Sequence, residues 1–215
     1  NGYRLTGNSA YKDVLVTGAR SLSTRFRDHI GLMRSWESNA KVWQYPVIID
    51  NMMNLELLMW AFRTTGEQRF KDISLSHADK TMENHFRPNY SCYHVVSYDT
   101  ITGLPHCKVT HQGIADESTW ARGHAWALYG YTMMYQQTGD RKYLHQAQHI
   151  GDMIEGYLPE DGIPYWDFND PKIPDTYRDA SAGAVMASAY IALDQVADNG
   201  KDYLAIAEKQ LRTLA

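Results

Sequence analysis

A single carboxylate stands where an apolar segment gives way to a predicted helix. Residues 47–49, Val-Ile-Ile, lead directly into Asp50, and apolar residues then recur at the spacing of a helix face. An aspartate at such a start commonly accepts hydrogen bonds from the free amides of the first turn. A carboxylate beside so apolar an element can also lose water, which raises its pKa and suits a general acid. The sequence leaves both roles of Asp50 open: helix cap or proton donor.

A second group of polar and aromatic residues lies in the segment 111–126. Arg122 and Trp126 stand four residues apart, on one face of the helix predicted there. A guanidinium can bind a carboxylate through two hydrogen bonds while an indole stacks on a sugar ring, so the pair suits an acidic sugar. The alternative is an Arg122 paired with Asp116 or Glu117 and a Trp126 buried in the core.

Other polar residues carry weaker signals. His94 lies on a strand-like piece and Gln112 in a loop, and each alone is typical of a structural residue. No cluster of His, Cys, Asp and Glu has the spacing of metal ligands, and the sequence has no glycine-rich phosphate loop and no nucleophile elbow. The sequence therefore predicts neither a metal nor a cofactor.

The elements that must position these residues are mainly helices. A glycine after threonine or asparagine recurs four times, and an aromatic residue that opens another helix follows each, which is typical of helical hairpins. Short strands are expected near 93–98 and 104–109. Long loops precede several helices, and we expect them to gather at one end of the array. The predicted helices are 10–28, 51–64, 68–86, 119–137, 141–157, 180–197 and 202–214; the glycines are Gly7, Gly66, Gly139 and Gly200.

The composition narrows the class of protein. The 215 residues are 44% hydrophobic and 21% charged, as in an ordinary globular domain. The net charge of -4 and the lack of a basic run argue against a nucleic-acid or membrane-surface protein. The 15 Tyr and 6 Trp suit a sugar-binding cleft, although such rings are also good core residues. Cys92 and Cys107 are expected to be free thiols.

Three motifs resemble one family of enzymes. They are Ile-Ile-Asp-Asn-Met-Met-Asn-Leu at 48–55, the segment 112–126 from Gln-Gly to Ala-Trp, and Asp-Ala-Ser-Ala at 179–182. Together they resemble the unsaturated glucuronyl hydrolases of glycoside hydrolase family 88 over essentially the whole chain. The resemblance implies an all-α (α/α)6 barrel, in which six helical hairpins close into a ring. The chain would form a single catalytic domain, 1–215, that covers the central part of the ring and is incomplete at both ends.

The resemblance also implies a chemistry. Members of this family act on oligosaccharides that polysaccharide lyases leave with a C4=C5 double bond in the terminal uronic acid. They hydrate this vinyl ether, with one aspartate as general acid and base, and the resulting hemiketal opens to release the remaining sugar. By this resemblance Asp50 is the catalytic residue. The implied substrate-binding residues are His94, Gln112, Arg122, Trp126 and Trp36.

The family pattern sets further expectations. It includes a second essential aspartate upstream of the first residue, and the chain begins without Met and ends inside a predicted helix. We therefore expect the stretch alone to be inactive or poorly folded and the full-length protein to be the enzyme. The expected partner is an unsaturated di- or oligosaccharide, with no nucleic acid and no membrane. A monomer or weak homodimer is expected, in the cytoplasm or the periplasm.

Three alternatives stay open at this point. A related unsaturated rhamnogalacturonyl hydrolase would use the same ring and the same hydration on pectin-derived disaccharides. An ordinary two-carboxylate glycosidase would also cleave saturated substrates. A non-catalytic helical-repeat scaffold that binds carbohydrate would not need Asp50.

Overall fold

Helices dominate the computed structural model, which describes residues 2–39 and 41–215. A 3₁₀ helix, Ile49–Asn54, leads directly into the α-helix Leu55–Thr65, so the predicted helix over 51–64 begins as a tighter turn. The predicted helix over 10–28 is five residues too long, because the observed helix ends at Ser23 and the chain then forms a small strand pair. The α-helices are α1 Gly2–Thr6, α2 Ser9–Ser23, α3 Leu55–Thr65, α4 Gln68–His85, α5 Ala121–Thr138, α6 Arg141–Glu155, α7 Ala180–Asp194 and α8 Tyr203–Leu214.

Consecutive helices form hairpins at the predicted glycines. Gly66 and Gly139 end α3 and α5 in the left-handed conformation, with φ of 77° and 71°. Gly200 has φ of 74° but does not end a helix, since α7 already stops at Asp194. The aromatic residues that open α4, α6 and α8 are buried, whereas Tyr11 on α2 is 48% exposed. The hairpin prediction therefore holds, with a longer connection between α7 and α8.

Neighbouring hairpins pack against each other through the first helix of each pair. Helix α5 contacts α3, α6 and α7, and α7 in turn contacts α8. Small residues allow this close approach: α5 and α7 bury alanines and glycines along their length. Helix α5 also packs against the 3₁₀ helix, where Met52 is fully buried. The segment that carries Asp50 is thus held directly on the central helix of the stack.

Gly130 sets the distance between α5 and the 3₁₀ helix. A Cβ atom at this position would lie 2.5 Å from the Cβ of Met52 and 3.2 Å from the Met52 backbone. We expect Gly130→Ala to lower the free energy of unfolding by about 2 kcal/mol, because overpacking outweighs the gain in helix propensity. Urea denaturation of the purified protein measures this change.

The matched control is Gly18→Ala on α2. An added Cβ there has its nearest neighbour at 3.9 Å, the Cδ2 of Leu57. The same substitution should therefore be neutral or stabilising by up to ~1 kcal/mol. Equal effects of the two substitutions would contradict the tight contact at Gly130.

Two short β-structures complete the fold. Strands β1, Phe26–Arg27, and β2, Leu32–Met33, form one antiparallel pair. Strands β3, Pro46–Ile48, β4, Val95–Tyr98, and β5, Pro105–Val109, form an antiparallel sheet in the order β3-β4-β5. The strand-like pieces predicted near 93–98 and 104–109 are confirmed as β4 and β5. Strand β3 was not predicted.

The sheet brings the predicted site together. In its register Ile48 lies opposite Val95, and the Ile49 backbone N–H donates to the carbonyl of His94 at 3.0 Å. Asp50 follows β3 and His94 precedes β4, so this pairing places their side chains side by side.

A smaller sequence prediction concerns the cysteines. Cys92 is buried and Cys107 is partly exposed, and both are free thiols, as expected. Among the described residues, no helix is long and apolar enough to cross a membrane.

Candidate active site

Asp50 is a nearly buried carboxyl group without a direct partner at one oxygen. It lies in the first turn of the 3₁₀ helix, whose cap residue is Ile48, so the helix-cap interpretation is wrong. Its side chain is 12% exposed, and Oδ2 accepts no hydrogen bond from the described residues. Burial raises the pKa of Asp50 to about 6, against the smaller lowering effects of its own backbone N–H and of Arg122. Such a group can hold or release a proton near neutral pH.

His94 faces this carboxyl group as a neutral imidazole. Its Nε2 lies 3.8 Å from Asp50 Oδ2, and its Nδ1 accepts hydrogen bonds from the backbone N–H groups of His111 and Gln112 at 3.0 and 3.1 Å. An Nδ1 that accepts leaves the ring proton on Nε2. Burial, with smaller contributions from His111 and Arg122, lowers the pKa of His94 to about 3. His94 therefore presents an uncharged N–H group toward Asp50.

Arg122 is held by two side chains near the start of α5. Its Nη1 donates to Asp179 Oδ2 at 2.6 Å, and its Nη2 donates to Gln112 Oε1 at 3.4 Å. Its guanidinium carbon lies 4.8 Å from the centre of the Trp120 ring. Asp179 also caps α7, because its Oδ1 accepts from the Ala182 backbone N–H at 2.8 Å. The guanidinium is thus fixed at one end and keeps further N–H groups for a ligand.

The alternative partners of Arg122 lie elsewhere. Glu117 pairs with Arg87, whose Nε is 3.3 Å from Glu117 Oε2. Asp116 accepts a hydrogen bond from the Thr110 backbone N–H at 2.8 Å. The alternative interpretation, in which Arg122 pairs with Asp116 or Glu117, is therefore wrong.

Aromatic rings form a continuous group beside Asp50. The ring of His94 lies 4.4 Å from Trp120 and 6.4 Å from His111. His111 in turn contacts Trp36 at 5.7 Å and Trp43 at 6.4 Å, and these two indoles meet edge to face at 5.6 Å. The structure thus connects Trp36 to His94 through His111, and the rings offer apolar faces of the kind that stack on sugars.

Trp126 lies one turn after Arg122 on α5, as the spacing predicts. Its ring packs edge to face against Tyr129 at 5.9 Å, and the Tyr129 hydroxyl donates to Glu56 Oε2 at 2.5 Å. Arg122, Trp126 and Tyr129 are all half-buried on one stripe of the helix. Trp126 therefore extends the face that Arg122 begins, without a ring contact to the group around His94.

The sequence interpretation assigned no role to three residues of this site. Trp120 and His111 stand inside the predicted segment 111–126, but nothing local distinguishes them from their neighbours. Asp179 belongs to the Asp-Ala-Ser-Ala motif, yet its partner Arg122 is 57 residues away in sequence. Only the packing of α5 beside α7 brings the two together.

The arrangement is suited to proton transfer on an acidic ligand. It combines one carboxyl group with a pKa near neutrality, a neutral imidazole, a guanidinium and a wall of aromatic rings. Within the described part of the chain, no group of three or more His, Cys, Asp or Glu could hold a metal ion.

The chain is a domain of helical hairpins whose candidate site combines a buried carboxyl group with an arginine and aromatic rings. The chain belongs to Glycosyl Hydrolase Family 88, whose family profile matches residues 1–215.

Curated relatives carry related names. The chain is 50% identical over 209 residues to an unsaturated glucuronyl hydrolase of Formosa agariphila, across 96% of this chain and 52% of that protein. It is 33% identical over 185 residues to an unsaturated chondroitin disaccharide hydrolase of Streptococcus pneumoniae, across 85% and 46%. The chain thus spans about half the length of the curated relatives that it matches.

Solved structures show the same fold. An unsaturated glucuronyl hydrolase specific for heparin superposes with a TM-score of 0.95 at 47% identity, over 99% of this chain and 57% of that one. The enzyme of Bacillus sp. GL1, described as responsible for glycosaminoglycan degradation, gives 0.92 at 28% identity, over 99% and 58%. These matches confirm the predicted (α/α)6 fold class.

Proposed function

We propose that the protein containing this chain removes the terminal 4,5-unsaturated uronic acid from oligosaccharides produced by polysaccharide lyases. The observation that carries the proposal is the carboxyl group of Asp50, which is buried, accepts no hydrogen bond at Oδ2 from the described residues and has a pKa of about 6. Hydration of a vinyl ether needs one group that first gives a proton and then takes one back. A carboxyl group poised near neutral pH can do both.

The proposed reaction balances with Asp50 and one water molecule. The protonated carboxyl group donates its proton to C4, and the cation that forms at C5 is stabilised by the ring oxygen. Water adds to C5 while the Asp50 carboxylate accepts its proton, so the side chain is restored. The C5 hemiketal opens by cleavage of its bond to the ring oxygen, and the hemiacetal left at C1 expels the next sugar as an alcohol.

The surrounding residues support an acidic sugar as the ligand. The free N–H groups of Arg122 can bind the uronate carboxylate, since Asp179 occupies only part of the guanidinium. The uncharged N–H of His94 can donate to the substrate or to Asp50 without a fixed positive charge that would lower the pKa of the carboxyl group. Trp36 offers a ring face for stacking. The names of the relatives favour glycosaminoglycan fragments as the substrate class.

The first test follows the ultraviolet absorbance of the C4=C5 bond with the full-length protein that contains this chain. Unsaturated chondroitin disaccharide should lose its absorbance, and the saturated disaccharide should not be cleaved. In D2O the uronic acid product should carry deuterium at C4, because the proton delivered there comes from an exchangeable carboxyl group. Mass spectrometry and NMR of the product measure this label.

The other outcomes of this assay would indicate other functions. Decay with a rhamnogalacturonan disaccharide alone would assign the chain to the related pectin-fragment hydrolases. Cleavage of the saturated disaccharide without deuterium at C4 would indicate an ordinary glycosidase. No decay with any substrate would contradict the proposal.

A further inference from the structure

Asp167 is a fully buried carboxylate that the reaction itself does not use. Its Oδ2 accepts hydrogen bonds from the Ser118 hydroxyl at 2.6 Å and from the Ile114 backbone N–H at 3.0 Å. Its Oδ1 accepts from the Asn169 backbone N–H at 3.0 Å. No lysine, arginine or histidine of the described residues forms an ion pair with it. A buried carboxylate is costly unless its oxygens are satisfied, so these neutral donors must be held firmly in place.

The loop 110–118 closes tightly around this carboxylate. A Cβ atom added at Gly113 would lie 3.0 Å from Asp167 Oδ2, 2.7 Å from Thr110 Oγ1 and 2.8 Å from Ser118 Oγ. The Gly113 backbone N–H donates to Thr110 Oγ1 at 2.7 Å. The absence of a side chain at residue 113 is therefore what lets the loop fold onto Asp167.

Asp167 is itself fixed to the start of α5. It forms an isolated antiparallel bridge with Trp120, and the backbone N–H groups of Phe168 and Ala121 donate to the carbonyls of Thr119 and Trp166, each at 3.0 Å. The helix start that precedes Arg122 and the loop 110–118 are thus joined through one side chain.

The same loop holds His94 in its orientation. The two backbone N–H groups that bind His94 Nδ1 belong to His111 and Gln112, which lie between Thr110 and Gly113. The Gln112 side chain also accepts a hydrogen bond from Arg122. Any loosening of the loop from Asp167 would release His94 and Gln112 together.

We propose that Asp167 is a positioning residue, which holds loop 110–118 against α5 so that His94 presents its Nε2 proton to Asp50 and Gln112 supports Arg122. The inference rests on the proposed function, in which Asp50 is the acid and base.

The position of this loop also controls the surroundings of Asp50. The titratable and charged groups that face Asp50 are His94 and Cys92 beside the sheet and Arg122 on α5, and His111 in the loop faces His94. Burial is the largest cause of its raised pKa. A loosened loop admits water, so the pKa of Asp50 should fall, and the loss of activity toward high pH should begin at a lower pH.

The experiment compares Asp167→Asn and Ser118→Ala in the full-length protein with Tyr190→Phe as the control. Tyr190→Phe also removes one buried hydrogen bond, from the Tyr190 hydroxyl to the Gly151 carbonyl at 2.8 Å, but on α7 and α6. We expect kcat/KM to fall roughly 10- to 100-fold for Asp167→Asn, because misplacement of the groups around the acid is costly. Ser118→Ala removes one of the three donors and should show the same shift of the pH profile with a smaller loss.

A second readout does not depend on activity. With 15N-labelled histidine, the His94 signals should report a proton fixed on Nε2 in the wild-type protein, and a mixture of tautomers in both variants. His94→Gln assigns these signals among the 9 histidines.

The possible failures are distinguishable. If the wild-type protein consumes no unsaturated substrate, the proposed function fails, whatever the variants do. Tyr190→Phe should keep the pH profile and the His94 tautomer of the wild-type protein. If the wild type is active and Asp167→Asn and Ser118→Ala also keep both, the positioning role is overturned. If one of the two variants does not fold, the pH profile and the His94 tautomer of the other variant test the positioning role.

Discussion

Asp50→Asn is expected to lower kcat for unsaturated disaccharides by about 10³-fold, the middle of the range for loss of a general acid and base. Asparagine keeps the shape of the side chain but can neither donate a proton to C4 nor accept one from water. The absorbance assay at substrate saturation measures this loss. The KM should change little, because Arg122, which is proposed to bind the uronate, and Gln112, which holds Arg122, are untouched.

The same substitution should make the protein more stable above about pH 6. A carboxyl group whose pKa is raised from 3.8 to about 6 in the folded state binds its proton more tightly there than in the unfolded state. Ionising it above that pH therefore costs stability, on the order of 1–3 kcal/mol, and asparagine removes the cost. Urea denaturation at about pH 8 measures the gain. Lower activity together with higher stability separates a catalytic role from loss of folding.

The matched control is Asp13→Asn, which removes an exposed carboxylate on α2. It should change neither kcat nor the free energy of unfolding, since surface substitutions are usually within about 0.5 kcal/mol. An Asp50→Asn protein that turns over normally would show that Asp50 is not the acid and base of the reaction.

The position of Asp50 could be predicted because its signal is local. An apolar run that meets a helical pattern at one aspartate is visible within a few residues, and so are the glycines at the ends of α3 and α5. The end of α2 was misplaced for the opposite reason. Helical spacing of apolar residues continues past Ser23, but the chain forms strand β1 there. Strand β1 pairs with β2 across a turn in which Gly31 adopts the left-handed conformation.

The contacts within the site could not be predicted from spacing. His94 meets Asp50 only because β3 pairs with β4 in one particular register, and a short strand such as β3 gives almost no pattern. Asp167 binds Ser118 across 49 residues of sequence. The burial of Asp167 could not be predicted from the sequence, because aspartate is usually exposed.

Acidification is expected to destabilise the fold through its buried histidines. Burial lowers the pKa of His77 and His94 to about 3 and that of His124 to about 4, and His85 is shifted in the same direction. In the unfolded state these histidines therefore bind protons below about pH 6.5. In the folded state they bind protons only at a far lower pH. Stability falls with pH across that window, by about 2 kcal/mol per histidine from about pH 7 to about pH 5. Asp50 offsets about 1 kcal/mol of this loss of stability, because on acidification its carboxyl group binds a proton at a higher pH in the folded state than in the unfolded state.

Hydrogen bonds act together with burial to keep these rings neutral. Nδ1 of His77 accepts from the Met33 backbone N–H at 3.1 Å, and Nε2 of His124 accepts from that of Cys92 at 2.8 Å. His94 accepts in the same way from the loop 110–118. A proton on any of these nitrogens would face an N–H donor, so protonation must break the contact. The folded state therefore keeps these rings neutral down to about pH 3–4.

Measured by urea denaturation, the free energy of unfolding should fall by about 4 kcal/mol or more from about pH 7 to about pH 5, a large part of the 5–15 kcal/mol that typical domains possess. His77→Gln should reduce this slope, because glutamine can still accept the Met33 N–H through its Oε1 but takes up no proton. His145→Gln, at an exposed position of α6, should leave it unchanged. A free energy of unfolding that is flat over this range would show that the buried rings do not govern acid stability.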